Sequence, residues 1–374
     1  MKIGYVLRSL EDSGVTVYCL RLAEAMRRRG HDVFLVSDGG VYADEVKRRN
    51  LRHHPLPLCR GPLRSLLAAR RLADIVRAER PDILHGNWRR AQMACHLAEK
   101  ATGVPYVTTL HLVGIPDSWL YRRLSHWGRL TIAPCSEAVA YLQTHFGVPR
   151  ERIRLIFHGV DPEQWPVATP ERQAAARRQF GLPLEAPVLV CVARLEAVKR
   201  HDLLLRALAE VRRSEAGAGL RLLLVGDGQE REALRRLAGA LGLSDAVSFL
   251  GFTDPHAALA AADAFVLASD KESFGFAPVE AMFTGRAVIR TDSEGARDQI
   301  VPGETGQIVP RGDVGTLAAA MVDVVARRGF WAECGARARA AAVRQFTLDQ
   351  MAEQTERCCL DALATVGATE SRNL

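Results

Sequence analysis

The sequence predicts an α/β protein built from two doubly wound parallel-sheet domains that face each other across a cleft. Strand-like apolar runs alternate with amphipathic helical segments over most of the 374 residues, and short loops join them, which is typical of parallel sheets covered by helices on both faces. A chain of this length exceeds one ordinary hydrophobic core. Three prolines in residues 158–171 interrupt the alternation, so we predict domains of residues 1–165 and 166–347.

The predicted elements follow from the period of the apolar residues. In the first half, predicted strands span 2–7, 31–37, 82–85, 104–110, 130–135 and 153–157, and predicted helices span 15–29, 63–80, 91–102 and 137–146. In the second half, predicted strands span 187–193, 220–226, 246–250, 264–268 and 287–291, and predicted helices span 201–214, 230–241 and 255–262, with further helices from 314. No strand follows the last helix, about 348–364, which we expect to cross back onto the first domain.

Composition and charge favour an enzyme with anionic small-molecule partners. The net charge of +7 and the pI of about 9.1 suit nucleotides, phosphates or anionic lipid. Arginine is scattered along helices without a recognition motif, so nucleic acid is not a predicted partner. No apolar stretch is long enough to span a bilayer, and the first residues lack the features of a signal peptide. We therefore expect a cytoplasmic location.

The sequence predicts neither a metal site nor a cofactor. The eight cysteines show no paired metal spacing, and free thiols in a reducing compartment explain them best. Asp227, Asp270 and Asp292 are isolated along the chain and form no convincing metal pair.

Two glutamates in the segment 264-AFVLASDKESFGFAPVEAMFTG-285 are the most informative pair. Glu272 lies in a polar loop after a buried strand, and Pro278 and Gly285 fit the start and the end of a helix, which places Glu280 in its first turn. The free N–H groups at a helix start form a favourable binding site for phosphate. With a carboxylate on either side to accept hydrogen bonds from hydroxyl groups, such a site suits a sugar nucleotide. The alternative is a capping glutamate beside a solvated one.

Two cations lie in the loop between the predicted strand 187–193 and the predicted helix 201–214. Arg194 and Lys199 occupy that loop, where they are expected to neutralise a diphosphate; the alternative is a pair of solvated loop cations. Further on, Gly226 and Gly228 form a tight turn after a strand. Arg231 stands where the dinucleotide-binding fingerprint has its third glycine, so a dehydrogenase is not predicted.

The order of several motifs resembles that of retaining glycosyltransferases of family 4, which have the GT-B fold. The second half carries ARLEAVKRHD, LLLVGDG, VSFLGF, AADAFVLAS, KESFGFAPVEAM, GRAVIRTDSEGARD and ETGQIVP, and the first half carries RRRGHDV, HGNW, PYVTTLH, APCSEAVAYL and HGVD. The resemblance covers nearly the whole chain. It implies an N-terminal acceptor-binding Rossmann-like domain and a C-terminal nucleotide-sugar-binding Rossmann-like domain.

The resemblance also implies roles for particular residues. Glu272 would contact the hydroxyls of the donor sugar, Arg194 and Lys199 would hold the diphosphate, and His111 would reach the transferred sugar. The implied donor site further includes Gly14, whose lack of a side chain would allow close approach to the diphosphate, Gly251 and Phe252 near the base, Phe274, Gly275, Phe276 and Ala277 through their N–H groups, and Glu280 on the ribose hydroxyls.

Some positions depart from the family pattern. Asn87 stands in His85-Gly86-Asn87 where a His-x-His is frequent, and His158 stands where asparagine is common. In the segment 292–298 the usual glycine pair is reduced to Gly295, and Asp298 replaces the more usual glutamate. These changes concern the acceptor or the sugar more than the diphosphate.

The resemblance implies transfer of a hexose-type sugar, with retained configuration and without a metal ion, from a UDP-sugar, favoured over a GDP-sugar. The acceptor would be a hydroxyl of a glycan, a glycolipid or a small molecule, with cell-envelope assembly as the first choice. The alternatives are a non-catalytic protein that binds sugar nucleotides or membranes, and a sugar-nucleotide epimerase.

The segment 117-DSWLYRRLSHWGRLTI-132 mixes aromatic and basic residues on what we predict to be one short helix. That mixture suits docking on an anionic membrane surface, on the inner face of the cytoplasmic membrane. The alternative is a helix that packs its aromatic side chains onto the first domain.

Overall fold

The computed structural model describes residues 1–58, 62–114, 119–215 and 217–370. The chain forms two compact units. Unit 1 comprises Met1–Gly159 together with the C-terminal segment that begins at Leu348, and unit 2 comprises Val160–Thr347. Each unit is built around one parallel sheet, so the predicted α/β architecture is confirmed.

Unit 1 contains a seven-stranded parallel sheet with the strand order β3-β2-β1-β4-β5-β6-β7. In chain order its elements are β1 Lys2–Leu7, α1 Gly14–Arg28, β2 Asp32–Ser37, α2 Ala43–Arg48, β3 Arg52–Pro55, α3 Pro62–Glu79, β4 Ile83–Asn87, α4 Arg89–Thr102, β5 Tyr106–Thr109, α5 Trp119–Arg123, β6 Thr131–Ala133, α6 Ser136–Phe146 and β7 Ile153–Leu155.

Unit 2 contains a six-stranded parallel sheet with the order β10-β9-β8-β11-β12-β13. Its elements are α7 Pro170–Gln179, β8 Val188–Val192, α8 His201–Arg212, β9 Arg221–Val225, α9 Arg231–Ala240, β10 Val247–Gly251, α10 His256–Ala261, β11 Ala264–Leu267, α11 Phe276–Phe283, β12 Ala287–Thr291, α12 Ala296–Gln299, β13 Gly306–Val309, α13 Val314–Ala326 and α14 Arg328–Gln345; α15, Leu348–Glu370, follows in unit 1.

Each sheet has one point at which the strand order reverses. In unit 1 the reversal falls between β1 and β4, and in unit 2 between β8 and β11. Loops leave the carboxyl ends of two such neighbouring strands in opposite directions, which opens a crevice where ligands of doubly wound sheets bind. The topology therefore directs attention to the loops after β1 and β4 in unit 1 and after β8 and β11 in unit 2.

Helix α15 belongs to unit 1, where it packs against α1 and β5. Its buried side chains recur with helical period and form one apolar face: Leu348, Met351, Ala352, Cys358, Cys359 and Ala362. On the polar side, Glu356 Oε2 accepts a hydrogen bond of 2.7 Å from Arg29 Nε, and Glu356 Oε1 lies 2.9 Å from His31 Nε2. The helix thus completes the core of the unit in which the chain begins.

Several short elements escape the sequence patterns. Strand β3, with the sequence RHHP, is an edge strand without apolar alternation, and α7, PERQAAARRQ, is mostly polar. Strand β13 and the helices α2 and α12 are four to six residues long, too short for an apolar period to be recognised.

The prediction of a single helix over 117–132 is wrong. Helix α5 spans only Trp119–Arg123, and residues 117 and 118 lie outside the described residues. Trp127 is buried and packs edge-on against Phe146 at a ring separation of 4.9 Å, because this part of the chain turns into the core before β6. Trp119, Tyr121 and Leu124 remain exposed. Over the described ranges, no helix combines the length and the apolar character needed to cross a membrane.

Candidate active site

The loops after β8 and β11 meet through two ion pairs, Lys199 with Glu272 and Arg200 with Asp270. Lys199, which ends the 3₁₀ turn Ala197–Lys199 after β8, donates a hydrogen bond of 2.6 Å from Nζ to Glu272 Oε1. Ser269 Oγ donates to the same oxygen at 2.7 Å. Oε2 of Glu272 accepts no hydrogen bond from any described residue, which leaves it available to a ligand hydroxyl.

The carboxyl group of Glu272 is held in its charged form. Burial raises its pKa, but attraction to Lys199 and Arg290, together with the hydrogen bonds from Lys199 and Ser269, outweighs burial, and the pKa lies below the ordinary value. An ionised carboxylate is a strong acceptor for sugar hydroxyls. Gly275 borders this group, since a Cβ at that position would lie 3.7 Å from Glu272 Oε2.

A fully buried arginine holds the loop that carries Glu272. Arg290, in the middle of β12, donates from Nη1 to the carbonyl oxygen of Phe274 at 3.2 Å and to the Gln299 side chain. Its Nη2 donates to Ser293 Oγ at 2.9 Å and to the carbonyl oxygen of Glu294 at 3.0 Å. Phe274, Ser293, Glu294 and Gln299 are thereby tied to one guanidinium group. The sequence signal for it was a charged residue inside the apolar run AVIRT.

A second clamp acts on the same loop from its other side. The backbone N–H of Glu272 donates to Glu294 Oε2 at 3.0 Å. Arg311 donates from Nε to the carbonyl oxygen of Asp292 at 2.7 Å and from Nη1 to that of Asp270 at 2.8 Å. These contacts link the segments that follow β11, β12 and β13, and sequence reasoning missed them because they join residues far apart in the chain.

The start of α11 differs from the prediction. The helix begins at Phe276 after Gly275, which has a φ of +84°, so Glu280 is its fifth residue and lies in the second turn. Pro278 does lie in the first turn, as predicted, where its missing N–H has no acceptor, but the helix begins two residues before it and Glu280 falls outside that turn. Glu280 is buried, with 7% of its surface exposed. The backbone N–H groups of Phe276 and Ala277 lie in the first turn of α11, at the positive end of the helix dipole.

The other predicted donor residues lie around the same sheet edge. Arg194 follows β8, is half exposed and pairs with Glu196 at 2.6 Å. Gly251 ends β10 with a φ of +74°, and the neighbouring Phe252 is 76% exposed. A Cβ at Gly226 would overlap the carbonyl oxygen of Ala193, so that glycine turn permits close packing of the loop that carries Arg194.

The predicted residues of unit 1 lie after β1 and β5. Gly14 is the first residue of α1, after Ser13, whose side chain caps the helix. A Cβ at Gly14 would meet no described atom within 4 Å, so the local fold does not require glycine there. His111 follows β5 and is buried, with its Nε2 2.9 Å from Asn87 Oδ1 at the end of β4.

His111 belongs to a buried cluster with Tyr18, His85 and His158. The Tyr18 ring lies edge-on to His111 at 4.9 Å, and His158 lies 5.8 Å from it. Burial, then the neighbouring His158 and His85, hold the pKa of His111 well below its ordinary value. Burial lowers the pKa of His85 to about 3, and burial with the charge of Arg21 lowers that of His158 to about 3. All three imidazoles are therefore neutral at pH 7.

His85 is wholly buried and supports the site from inside the sheet. Its Nε2 lies 2.7 Å from Thr109 Oγ1, which is also 3.3 Å from the Tyr18 hydroxyl. This network occupies the switch point of the sheet between β1 and β4, beside the end of β5.

Comparison with known proteins assigns the chain to a family. The family described as Glycosyltransferase Family 4 matches residues 13–164, and that described as Glycosyl transferases group 1 matches residues 172–341. The 2-deoxystreptamine N-acetyl-D-glucosaminyltransferase of Streptomyces fradiae is 30% identical over 359 residues, covering 83% of this chain and 82% of that protein. The N-acetyl-alpha-D-glucosaminyl L-malate synthase of Bacillus anthracis is 27% identical, covering 97% of both chains.

Solved structures share the fold. HepE of Anabaena in complex with UDP superposes with a TM-score of 0.85 at 22% identity, covering 96% of this chain and 99% of that one. A glycosyltransferase from Rickettsia africae gives a TM-score of 0.85 at 21% identity, covering 97% and 98%. Fold and site thus define a GT-B glycosyltransferase. The chain belongs to glycosyltransferase family 4, as its motifs predicted.

Proposed function

We propose that this enzyme transfers a hexose-type sugar from a UDP-sugar to a hydroxyl group with retention of configuration. The observation that carries the proposal is the ionised Glu272, bound to Lys199 through one oxygen and open at the other. This carboxylate lies next to Gly275 at the start of α11, and Lys199 comes from the neighbouring strand end. UDP as the carrier is supported by the UDP complex of HepE.

The proposed reaction needs no protein nucleophile. The bond between the anomeric carbon and the β-phosphate oxygen breaks, the acceptor oxygen forms the new bond on the same face, and its proton passes to the departing phosphate. Lys199, Arg194 and the N–H groups at the start of α11 stabilise the negative charge on the leaving group, an effect that is large in a preorganised site. In this scheme Glu272 and the neutral His111 hold the hydroxyls of the sugar, and Glu280 holds those of the ribose.

We also propose that the reaction proceeds without a divalent cation. The carboxylates considered as metal ligands are already neutralised by arginines: Asp227 pairs with Arg231, Asp270 with Arg200 and Asp292 with Arg297. Activity should survive an excess of EDTA. Complete loss in EDTA, with rescue by one divalent ion, would contradict this part of the proposal.

For the acceptor, the names of the relatives support a small polar molecule. They include the N-acetyl-alpha-D-glucosaminyl L-malate synthase and the 2-deoxystreptamine N-acetyl-D-glucosaminyltransferase named above, and a D-inositol 3-phosphate glycosyltransferase of Mycolicibacterium smegmatis is 29% identical over 84% of this chain. We therefore place a small acceptor that bears hydroxyls first and an envelope glycan or glycolipid second.

One surface feature supports the second candidate, an acceptor at a membrane surface, and can be tested. Trp119 is 73% exposed, and Tyr121 and Leu124 are exposed beside the basic pair Arg122–Arg123, a combination suited to an anionic bilayer. Flotation with phosphatidylglycerol vesicles at low salt should carry the wild-type protein and leave Trp119→Ser behind. Failure of the wild type to float would remove the membrane surface from the proposal.

The donor is tested by melting curves with UDP, GDP, ADP and their common sugar conjugates. A ligand at 100 times its dissociation constant adds about 2.7 kcal/mol to the folded state, which a melting curve resolves. UDP conjugates should stabilise the wild type and not the double variant Arg194→Ala/Lys199→Ala. A shift with GDP alone would change the carrier, and no shift with any nucleotide would contradict the function.

A further inference from the structure

The end of β4 and the start of the loop after β5 form one hydrogen-bonded chain that ends at His111. The Asn87 amide lies between two groups: its Nδ2 is 3.0 Å from the carbonyl oxygen of His85, and its Oδ1 is 2.9 Å from His111 Nε2. Both side chains are buried, Asn87 completely. The register of the sheet places them together, because β4 and β5 are parallel neighbours with Asn87 opposite Thr109.

The first of these contacts fixes the orientation of the amide. A backbone carbonyl oxygen only accepts, so the atom that faces His85 must be the NH₂ group of Asn87. Rotation of the amide by half a turn would set its oxygen against the carbonyl oxygen, with no proton between two facing buried acceptors, which costs about 1–3 kcal/mol. The carbonyl oxygen of Asn87 is therefore directed at His111.

The second contact then fixes the tautomer of the imidazole. Because Asn87 Oδ1 only accepts, His111 Nε2 must carry the proton. His111 Nδ1 is left as a bare lone pair, and within the described part of the chain it has no hydrogen-bond partner. A neutral imidazole with its acceptor nitrogen open is suited to receive a hydrogen bond from a sugar hydroxyl.

We infer that Asn87 is a positioning residue that holds His111 as the neutral Nε2–H tautomer, so that Nδ1 accepts a hydrogen bond from a hydroxyl of the transferred sugar. The inference rests on the proposed function, because it assigns the sugar to His111. It also gives a role to Asn87, which the sequence shows only as a departure from the family pattern. Unlike histidine, an amide presents a fixed acceptor at every pH.

The groups that face His111 from the packed elements are Tyr18 of α1, His85 of β4 and His158, and the charged group next to them is Arg21, which acts on His158. None of them supplies a negative charge. Replacing Asn87 with aspartate would introduce one at 2.9 Å from Nε2, and this charge favours the imidazolium form and raises the pKa of His111. The variant therefore converts a fixed tautomer into a group that titrates.

The test compares Asn87→Asp and Asn87→Leu with the wild type, with Asn50→Asp as the control for the same change at an exposed position of unit 1. We expect Asn87→Asp to lose activity as the pH falls through the raised pKa of His111 and to recover at high pH. Asn87→Leu, which releases the ring, should lower kcat about 10- to 100-fold with the stabilisation by UDP unchanged. Asn50→Asp should behave as the wild type.

Long-range ¹H–¹⁵N spectra of protein with labelled histidine provide a readout besides activity, with His111→Gln used to assign the signal. The wild type should show a neutral Nε2–H ring from pH 6 to 8, whether or not a substrate is known. A wild-type Nδ1–H tautomer overturns the inference even if either variant fails to fold. Wild-type kcat and pH dependence in both variants would also overturn it, while the UDP-induced shift separately reports on the proposed function.

Discussion

Glu272 is held through one carboxylate oxygen, while its other oxygen accepts no hydrogen bond within the described part of the chain. Lys199 and Ser269 share Oε1, and a glycine borders Oε2. Lys199 is proposed to hold the diphosphate. Its positive charge also keeps Glu272, the carboxylate proposed to hold the sugar, in the ionised form. Loss of Lys199 should change the titration of Glu272 as well as the affinity for the nucleotide.

We predict that Lys199→Met moves the acid limb of the pH profile to higher pH. In the wild type the pKa of Glu272 is lowered, so the charged form persists until the pH falls below the ordinary carboxyl range. Without Lys199 the effect of burial is less opposed and the pKa rises, so that Glu272 is protonated earlier as the pH falls. The measurement is kcat/KM from pH 4.5 to 8, and its maximum should fall about 10- to 100-fold because a charge-assisted hydrogen bond is lost.

Lys271→Met is the matched control, because Lys271 precedes Glu272 in the chain but is exposed. Its acid limb should coincide with that of the wild type. An unshifted limb in Lys199→Met, or an equal shift in both variants, would show that the ion pair does not set the charge of Glu272.

The local residue types predicted part of this site, and long-range neighbours supplied the rest. Arg194, Lys199 and Glu272 were recognisable because each follows an apolar strand in a polar loop. The pairing of Lys199 with Glu272 depends on β8 and β11 being neighbours in the sheet, although they are far apart in the chain. Asn87 was visible only as a departure from a pattern, and its contact with His111 depends on the neighbouring β4 and β5.

At the scale of elements, β12 contributes a charge to the interior of the sheet. Arg290 is fully buried and donates to the carbonyl oxygen of Phe274, between Glu272 and α11, and to that of Glu294, which precedes α12. A strand that supplies only apolar contacts would leave the carbonyl oxygens of Phe274 and Glu294 without this donor. The order of the loop before α11 therefore depends on β12 as much as on its own sequence.

We predict that Arg290→Met destabilises unit 2 by about 1–3 kcal/mol for each buried acceptor that loses its donor, because Arg290 donates to neutral groups of the interior. Thermal unfolding should show this loss, and calorimetry on the folded protein should show weaker UDP binding. Arg290→Lys keeps the positive charge but not the forked geometry of the guanidinium group, so its stability should lie between those of the wild type and Arg290→Met. Arg357→Met, an exposed arginine of α15 in a surface ion pair, should change stability by less than about 1 kcal/mol.

If Arg290→Met retains the stability of the wild type, the buried guanidinium is not what orders this loop. Arg290 is not among the site residues that the sequence predicts. An arginine in an apolar strand is unusual, since charged groups are almost never fully buried without partners. The sequence does not reveal which partners these are, because they come from the loops after β11 and β12.

At the scale of the whole molecule, unit 1 is built from two separate parts of the chain. The last helix, α15, is built into unit 1, although unit 2 separates it from the rest of that unit along the chain. Apolar periodicity predicted the helix, and the absence of a following strand suggested its return. The helix packs against α1 and β5 through its apolar face, and Glu356 on its polar side pairs with Arg29.

We predict that a chain ending at Thr347 loses the cooperative fold of unit 1 and keeps UDP binding in unit 2. Removing α15 uncovers α1 and β5. It also takes away several buried side chains, each worth about 1.5–3 kcal/mol when it is large and apolar, and their sum exceeds the margin of a typical domain. Limited proteolysis should cleave unit 1 rapidly, and calorimetry should still detect UDP. A chain ending at Ala364, which keeps the buried face of α15, should resist proteolysis as the full chain does. Equal protection of both truncated chains would show that α15 lies on unit 1 without supporting it.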